Sequence, residues 1–222
     1  MPLTFLRDTR VRLVLTSATL LFVELLLIRW IPSTVEYLGF FSNFLLIASF
    51  LGIGLGILLG RRVGFAAIAT FPVLLAVVVW LITSLGLNIQ IRSTDELFFG
   101  LAESHAADLN FLVLPLIFSL VTVLMAALAL PLGPLLRSRP PLVAYTFDIV
   151  GSLVGIAAFT ILSAADTSPI AWFAVVGILL VLLNAGSGGR VIVALSGAGV
   201  ALVAIVAVLA MIAGHMLPGE IW

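Results

Sequence analysis

The chain contains no cysteine and no lysine, and it has few charged residues of any kind. Without cysteine, disulfides and thiolate metal sites are excluded. The ten acidic and ten basic residues balance to a net charge of zero, which argues against nucleic acid as a partner. All the basic residues are arginine, and they are clustered along the chain. These absences leave a chain with little surface suited to water.

Hydrophobic residues dominate what is present. They make up 63% of the 222 residues, against 9% charged, and the mean hydropathy is +1.36. A soluble domain of this size needs far more charge on its surface, so most side chains must face lipid or one another. Seven runs are long enough to cross about 30 Å of hydrocarbon as helices. They lie near residues 13–31, 39–60, 65–87, 109–132, 143–163, 169–184 and 191–213. The sequence therefore predicts an all-α polytopic transmembrane helix bundle, with residues 1–222 forming a single domain.

The arginines predict how this bundle is oriented. With a cytoplasmic N-terminus, most arginines fall on the inner side, whereas Arg92 falls in an outer loop and Arg29 lies within the first span. This asymmetry is what the positive-inside rule requires. The inner arginines are Arg7, Arg10, Arg12, Arg61, Arg62, Arg137, Arg139 and Arg190. We expect the first run to be a retained span rather than a cleaved signal peptide, because it is long, contains Glu24 and lacks a small-residue cleavage site.

The outer loop between residues 88 and 108 is the only sizeable polar segment. Ser93 and Glu96 have capping-box spacing ahead of apolar residues, which predicts a short amphipathic helix near residues 94–104 on the outer surface. Glu103, His105 and Asp108 could in principle ligate a metal. A solvated acidic helix end is the simpler interpretation, so we predict neither a metal nor a cofactor.

Three ionisable residues lie inside the apolar runs, and their depths predict their partners. A charged group near the bilayer centre costs about 3 kcal/mol or more, so each should face the protein interior. At about 1.5 Å per residue, Glu24 lies near the midplane. Arg29 and Asp148 are roughly 16 Å apart along the membrane normal, so they should not be direct partners.

The depths favour different partners for each of these residues. Arg29 is matched to Glu36, Ser42 or Asn43, and Asp148 to Arg61 or Arg62. Glu24 has only hydroxyls at its level, so we expect its carboxyl to be protonated or water-bound. The candidate intramembrane polar cluster comprises Glu24, Arg29, Asn43, Ser49, Tyr145, Asp148 and Ser152. Two interpretations remain open: structural contacts that fix helix register, or a binding or proton-handling site around Glu24.

Glycines at four-residue spacing predict where helices approach closely. Gly52, Gly56 and Gly60 share one face of the second span, and Gly151 and Gly155 share one face of the fifth. We predict that spans one, two and five pack together near Glu24, Ser49 and Ser152. A nucleotide-binding loop is disfavoured for these glycines, because it needs a preceding strand and a downstream acidic residue.

Three motifs together resemble one bacterial family. They are Glu24–Trp30, the run from Phe44 to Gly60 with Arg61 and Arg62 after it, and Tyr145–Gly155. The chain resembles the membrane half of integral membrane proteins in which a helical domain precedes a soluble spermidine-synthase-like (polyamine aminopropyltransferase-like) domain. The resemblance implies a multi-pass protein of the bacterial cytoplasmic (inner) membrane. The pocket for S-adenosylmethionine and the acidic catalytic residues would lie beyond Trp222, so no catalytic residue is assigned in this chain.

Three functions are compatible with the sequence. The first is a non-catalytic membrane module that anchors, or presents a substrate to, a spermidine-synthase-like soluble domain. The second is a small cation or polyamine transporter or channel that uses Glu24 and Asp148. The third is an accessory subunit of a larger membrane complex. Any aminopropyltransferase-like activity would need residues beyond Trp222.

Overall fold

The computed structural model describes residues 8–34, 42–63, 71–84 and 105–186, and within these ranges the chain is helical with no strand. The helices are α1 (Thr9–Thr34), α2 (Ser42–Val63), α3 (Phe71–Ser84), α4 (His105–Ala129), α5 (Leu132–Arg137), α6 (Pro141–Ala164) and α7 (Pro169–Gly186). The predicted all-α class is confirmed for this part of the chain. The predicted helices near residues 94–104 and 191–213 lie outside the described residues.

Within the described residues, four helical stretches are long and apolar enough to cross a membrane. They are Thr9–Thr34, Asn43–Gly60, Leu114–Arg137 and Pro141–Ala164, and they coincide with the predicted first, second, fourth and fifth spans. Phe71–Thr83 and Pro169–Leu183 are apolar but shorter. The segment between α4 and α6 contains the short helix α5. The chain is thus a membrane protein built from apolar helices.

The outward faces of the helices show which solvent surrounds them. Leu58 of α2 is 65% exposed, and Leu153 and Ile161 of α6 are 59% and 68% exposed. These residues belong to apolar stripes that continue along both helices. Contiguous exposed apolar surface of this kind is unfavourable in water and favourable in contact with acyl chains. Lipid therefore covers these faces.

Helix α1 occupies the centre of the bundle and contacts every other described helix. Its side chains are buried over most of its circumference, and a stripe through Val14, Leu21, Leu25 and Ile28 is only partly buried. A helix that is apolar all round is expected to be enclosed by other elements. The polar residues that α1 carries are consequently placed inside the protein.

Helices α1 and α6 form a close parallel pair. A Cβ on Gly151 would overlap the carbonyl oxygen of Val14, and a Cβ on Gly155 would overlap that of Ala18. One turn further along, the rings of Phe22 and Phe159 pack edge to face with centroids 5.5 Å apart. Because residue numbers rise together on both helices, the two run in the same direction.

Helices α2 and α4 form a second close parallel pair. A Cβ on Gly52 would lie 2.5 Å from the carbonyl oxygen of Thr122, and Gly56 and Gly60 approach the backbones of Ala126 and Leu130. The predicted packing of spans one and five is therefore seen in α1 and α6, whereas α2 also contacts α1 but turns its glycine face to α4. Glycine spacing marks a face that a backbone can approach, and here that backbone belongs to α4.

The ends of several helices meet at one end of the bundle. Asp8 forms an ion pair with Arg139 (3.6 Å), and the Arg10 guanidinium lies 5.7 Å from the centroid of the Phe147 ring. A Cβ on Gly133 would lie 2.5 Å from the carbonyl oxygen of Ile57. The start of α1, the end of α2, α5 and the start of α6 thus lie together. We call this the arginine end, since it carries Arg10, Arg12, Arg61, Arg62, Arg137 and Arg139.

Candidate functional site

The polar residues of α1 lie at three separate levels along its axis. Ser17 is nearest the arginine end, Glu24 lies about 10 Å further along, and Arg29 lies about 8 Å beyond Glu24. A partner from another helix meets α1 at the first and third of these levels. The predicted polar cluster is therefore divided into separate contacts rather than gathered at one place.

At the level nearest the arginine end, α1 and α6 share a hydrogen bond. Ser17 Oγ donates to Asp148 Oδ1 at 2.5 Å. The close approach at Gly151, where a Cβ would come within 3.0 Å of the Ser17 Cβ, places these two groups side by side. The sequence prediction for Asp148 named arginines of the second span, whose side chains lie outside the described residues. The observed donor is instead a hydroxyl on α1.

At the opposite end of α1, Arg29 joins three helices. Its guanidinium donates to Ser163 Oγ of α6 and lies 5.3 Å from the centroid of the Trp172 ring of α7. Trp172 is itself held by a 2.8 Å hydrogen bond from Nε1 to Thr167 Oγ1. The arginine therefore ties α1 to the turn between α6 and α7.

The partners predicted for Arg29 are wrong where the structure describes them. Asn43 is exposed at the start of α2, and the observed partners come from α6 and α7 instead. Glu36 and the Ser42 side chain lie outside the described residues. The prediction that Arg29 and Asp148 do not pair is confirmed, because Ser163 and Asp148 are about 22 Å apart along α6. Sequence reasoning missed Ser163 although its depth matches that of Arg29.

At the middle level, Glu24 is buried and has no hydrogen-bond partner among the described residues. Its side chain is 3% exposed, and both carboxyl oxygens are enclosed. Ser49 of α2 is in the same condition: it is 0% exposed, and its Oγ has no partner within the described chain. These two side chains are the remaining candidates for a functional site.

The other predicted members of the cluster lie elsewhere. Tyr145 is 61% exposed on the outer face of α6, and Ser152 is half-buried on the same helix. Helices α1 and α2 run in opposite directions, since the start of α1 and the end of α2 both lie at the arginine end. Counted from either end, Glu24 and Ser49 lie within about 5 Å of the same depth.

The chemistry available at Glu24 is limited to proton transfer, hydrogen bonding and the binding of a positive charge. No group of three or more potential metal ligands occurs among the described residues. Of the residues considered for a metal, Glu103 and the side chains of His105 and Asp108 lie outside the described part.

Comparisons with protein-family models, with curated proteins and with solved structures find no match to this chain. The resemblance to the spermidine-synthase-like membrane proteins is therefore carried by the three motifs quoted from the sequence alone.

Proposed function

We propose that the chain is the non-catalytic membrane module of a spermidine-synthase-like protein of the bacterial inner membrane. In this role it anchors a soluble domain or presents a membrane-associated substrate to it. The supporting observation is the backbone-to-backbone packing at Gly52, Gly56, Gly60, Gly151 and Gly155. Close contacts of this kind join the helices into a rigid scaffold, which is what an anchor requires.

The proposal includes seven spans with a cytoplasmic N-terminus. It is supported by the arginine end, because positively charged ends of membrane helices face the cytoplasm. It is also supported by the parallel arrangement of α2 and α4. A chain that leaves α2 at one end and enters α4 at the other must return across the bundle between them, and α3 lies in that part of the sequence.

The DNA downstream of codon 222 tests the proposed module. We expect the reading frame to continue into a spermidine-synthase-like domain, or a neighbouring gene to encode one. Where the domain is a separate protein, it should co-purify with the membrane chain in mild detergent. A locus that encodes no such domain would remove the main support for this function.

A second candidate function is transport of a small cation or polyamine. The observation that favours it is the buried carboxyl of Glu24, which has no partner among the described residues. Such intramembrane carboxyls commonly mark ion or proton pathways. We expect proteoliposomes containing the chain to take up labelled polyamine and the Glu24→Gln variant to have lost that uptake. Equal uptake by both proteins, or none by the original chain, would exclude transport through Glu24.

A further inference from the structure

Glu24 and Ser49 are exceptions to the way this bundle satisfies its buried polar groups. Each of the other buried hydroxyls in the described chain donates a hydrogen bond. These are Thr16 to Arg12, Ser17 to Asp148, Thr19 to Leu15, Thr83 to Val79 and Thr122 to Ala48. Ser49 Oγ and both carboxyl oxygens of Glu24 have no such bond to a described residue. Polar atoms left unpaired in a protein interior are costly, so these two require a ligand or each other.

The positions of the two side chains allow them to share one site. Glu24 lies on α1 and Ser49 on α2, and these two helices are in contact. The depths of the two residues agree to within about 5 Å along the helix axes. A contact between them, direct or through one water, therefore needs little displacement of one helix along the other. A hydroxyl is also the appropriate neighbour for a carboxylic acid, because it both accepts and donates a hydrogen bond.

The charges around Glu24 favour the neutral carboxyl. The described membrane portions of four helices contain no charged residue. They are residues 43–60 of α2, 71–84 of α3, 114–129 of α4 and 169–186 of α7. Asp148 of α6 is bonded to Ser17, and Arg29 is engaged by Ser163 and Trp172. Arg12 on α1 and Arg137 on α5 belong to the arginine end, and Arg12 is about 18 Å from Glu24 along α1. A negative charge on Glu24 thus faces no opposite charge at its own depth in the described helices.

The enclosure of the carboxyl limits the size of its ligand. Both oxygens are inaccessible to solvent in this conformation, so an amine or a hydrated metal ion has no direct route to them. A proton needs no such space, since it becomes part of the carboxyl group.

We propose that Glu24 is an intramembrane proton-binding site and that the Ser49 hydroxyl is its hydrogen-bonding partner. The carboxylate binds one proton to become a carboxylic acid, and no other bond is made or broken. The proposal is independent of the spermidine-synthase-like assignment and of transport. It names the ligand of a buried residue whatever the bundle anchors or carries.

Infrared spectroscopy of the purified chain at neutral pH tests the proposal. Protonated carboxylic acids have a C=O stretching band, distinct from the bands of ionised carboxylates, that moves to lower frequency in D2O. We expect the chain to show this band in an ester-free detergent and the Glu24→Gln variant to have lost it. Ser49→Ala should shift the band to higher frequency by removing a hydrogen bond. Asp148→Asn is the matched control and should retain the band.

Each result decides a stated part of the proposal. A wild-type spectrum without an isotope-sensitive acid band would show that Glu24 is ionised and would overturn the proton site. A band that Glu24→Gln leaves at full intensity would belong to another carboxyl group and would also overturn it. A band that Ser49→Ala leaves unshifted would remove Ser49 from it. The isotope shift of the wild-type protein gives the first answer even if Glu24→Gln does not fold. Loss of polyamine uptake is a separate measurement and leaves the infrared result unaffected.

Discussion

A charged side chain inside a membrane helix is stabilised when another helix supplies its partner. Ser17 and Asp148 show the simplest case, in which a hydroxyl donates to a carboxylate across the close contact between α1 and α6. Arg29 shows a more extended case, with one partner on α6 and an aromatic ring on α7. In both cases the contact fixes how far one helix is displaced along the other. These polar residues therefore set the register of the bundle.

Replacing Ser17 by Ala should destabilise the bundle. The substitution leaves the Asp148 carboxylate without its donor, which should lower the free energy of unfolding by about 1–2 kcal/mol. The measurement is equilibrium unfolding in detergent micelles. Ser119→Ala is the control, because this exposed hydroxyl donates only to the Pro115 carbonyl of its own helix. Equal stability of the two variants would show that the Ser17–Asp148 bond contributes nothing.

Depth along the membrane could be read from the sequence, whereas direction around each helix could not. Counting residues correctly separated Arg29 from Asp148, since both lie on helices of known rise. The same count could not show that Arg29 faces α6 and α7 rather than α2. That choice depends on which helices surround α1, and one residue of displacement turns a side chain by about 100°. The partners of Arg29 could therefore be found only from the packing.

At the scale of the helices, the bundle is built from two parallel pairs with glycine at their contacts. The sequence predicted the contact faces correctly, because Gly52, Gly56, Gly60, Gly151 and Gly155 are all buried against a neighbouring backbone. It did not predict the partner of α2. Small residues permit close approach by any helix, so the choice of α4 is made by the packing of the whole bundle.

Two glycines of α2 provide a matched test of this packing. A Cβ on Gly56 would overlap the carbonyl oxygen of Ala126 and lie 2.7 Å from the Ala129 Cβ, whereas a Cβ on Gly54 meets nothing within 4 Å. Because Gly56→Ala forces α2 and α4 apart, we expect it to lower the free energy of unfolding by about 1–3 kcal/mol. The melting temperature should fall accordingly. Gly54→Ala should leave the free energy of unfolding unchanged or raise it by about 0.5–1 kcal/mol, so its melting temperature should not fall. The account of α2 packing is wrong if both variants melt alike.

At the scale of the whole molecule, α1 serves as the axis and the arginines mark one end. The Asp8–Arg139 ion pair and the contact of Arg10 with Phe147 join the first turn of α1 to the start of α6 at this end. Ser163, Trp172 and Arg29 join the same helices at the other end. The bundle therefore has two chemically different ends, and the proposed topology predicts that the arginine end faces the cytoplasm.

The absence of cysteine makes this orientation directly measurable. Single cysteines at two exposed positions can be labelled with a membrane-impermeant maleimide. Ser138 is exposed at the arginine end, and Ala165 is exposed at the opposite end. We expect Ala165→Cys to react in intact spheroplasts and Ser138→Cys to react only after the membrane is permeabilised. The reverse pattern would show that the N-terminus is outside.

The parallel pairing of α1 with α6 is the arrangement on which the positions of Glu24, Asp148 and Arg29 all depend, and cysteine cross-linking measures it most directly. Two double variants place a pair of cysteines at residues that are in contact, one pair at each end of the two helices. They are Ser17→Cys with Asp148→Cys, and Arg29→Cys with Ser163→Cys. The exchanged variants join Ser17 with Ser163 and Arg29 with Asp148. With a short bifunctional cross-linker in native membranes, we predict that the first two variants cross-link and the exchanged variants do not. Cross-linking of the exchanged variants, or of none, would contradict the parallel pair.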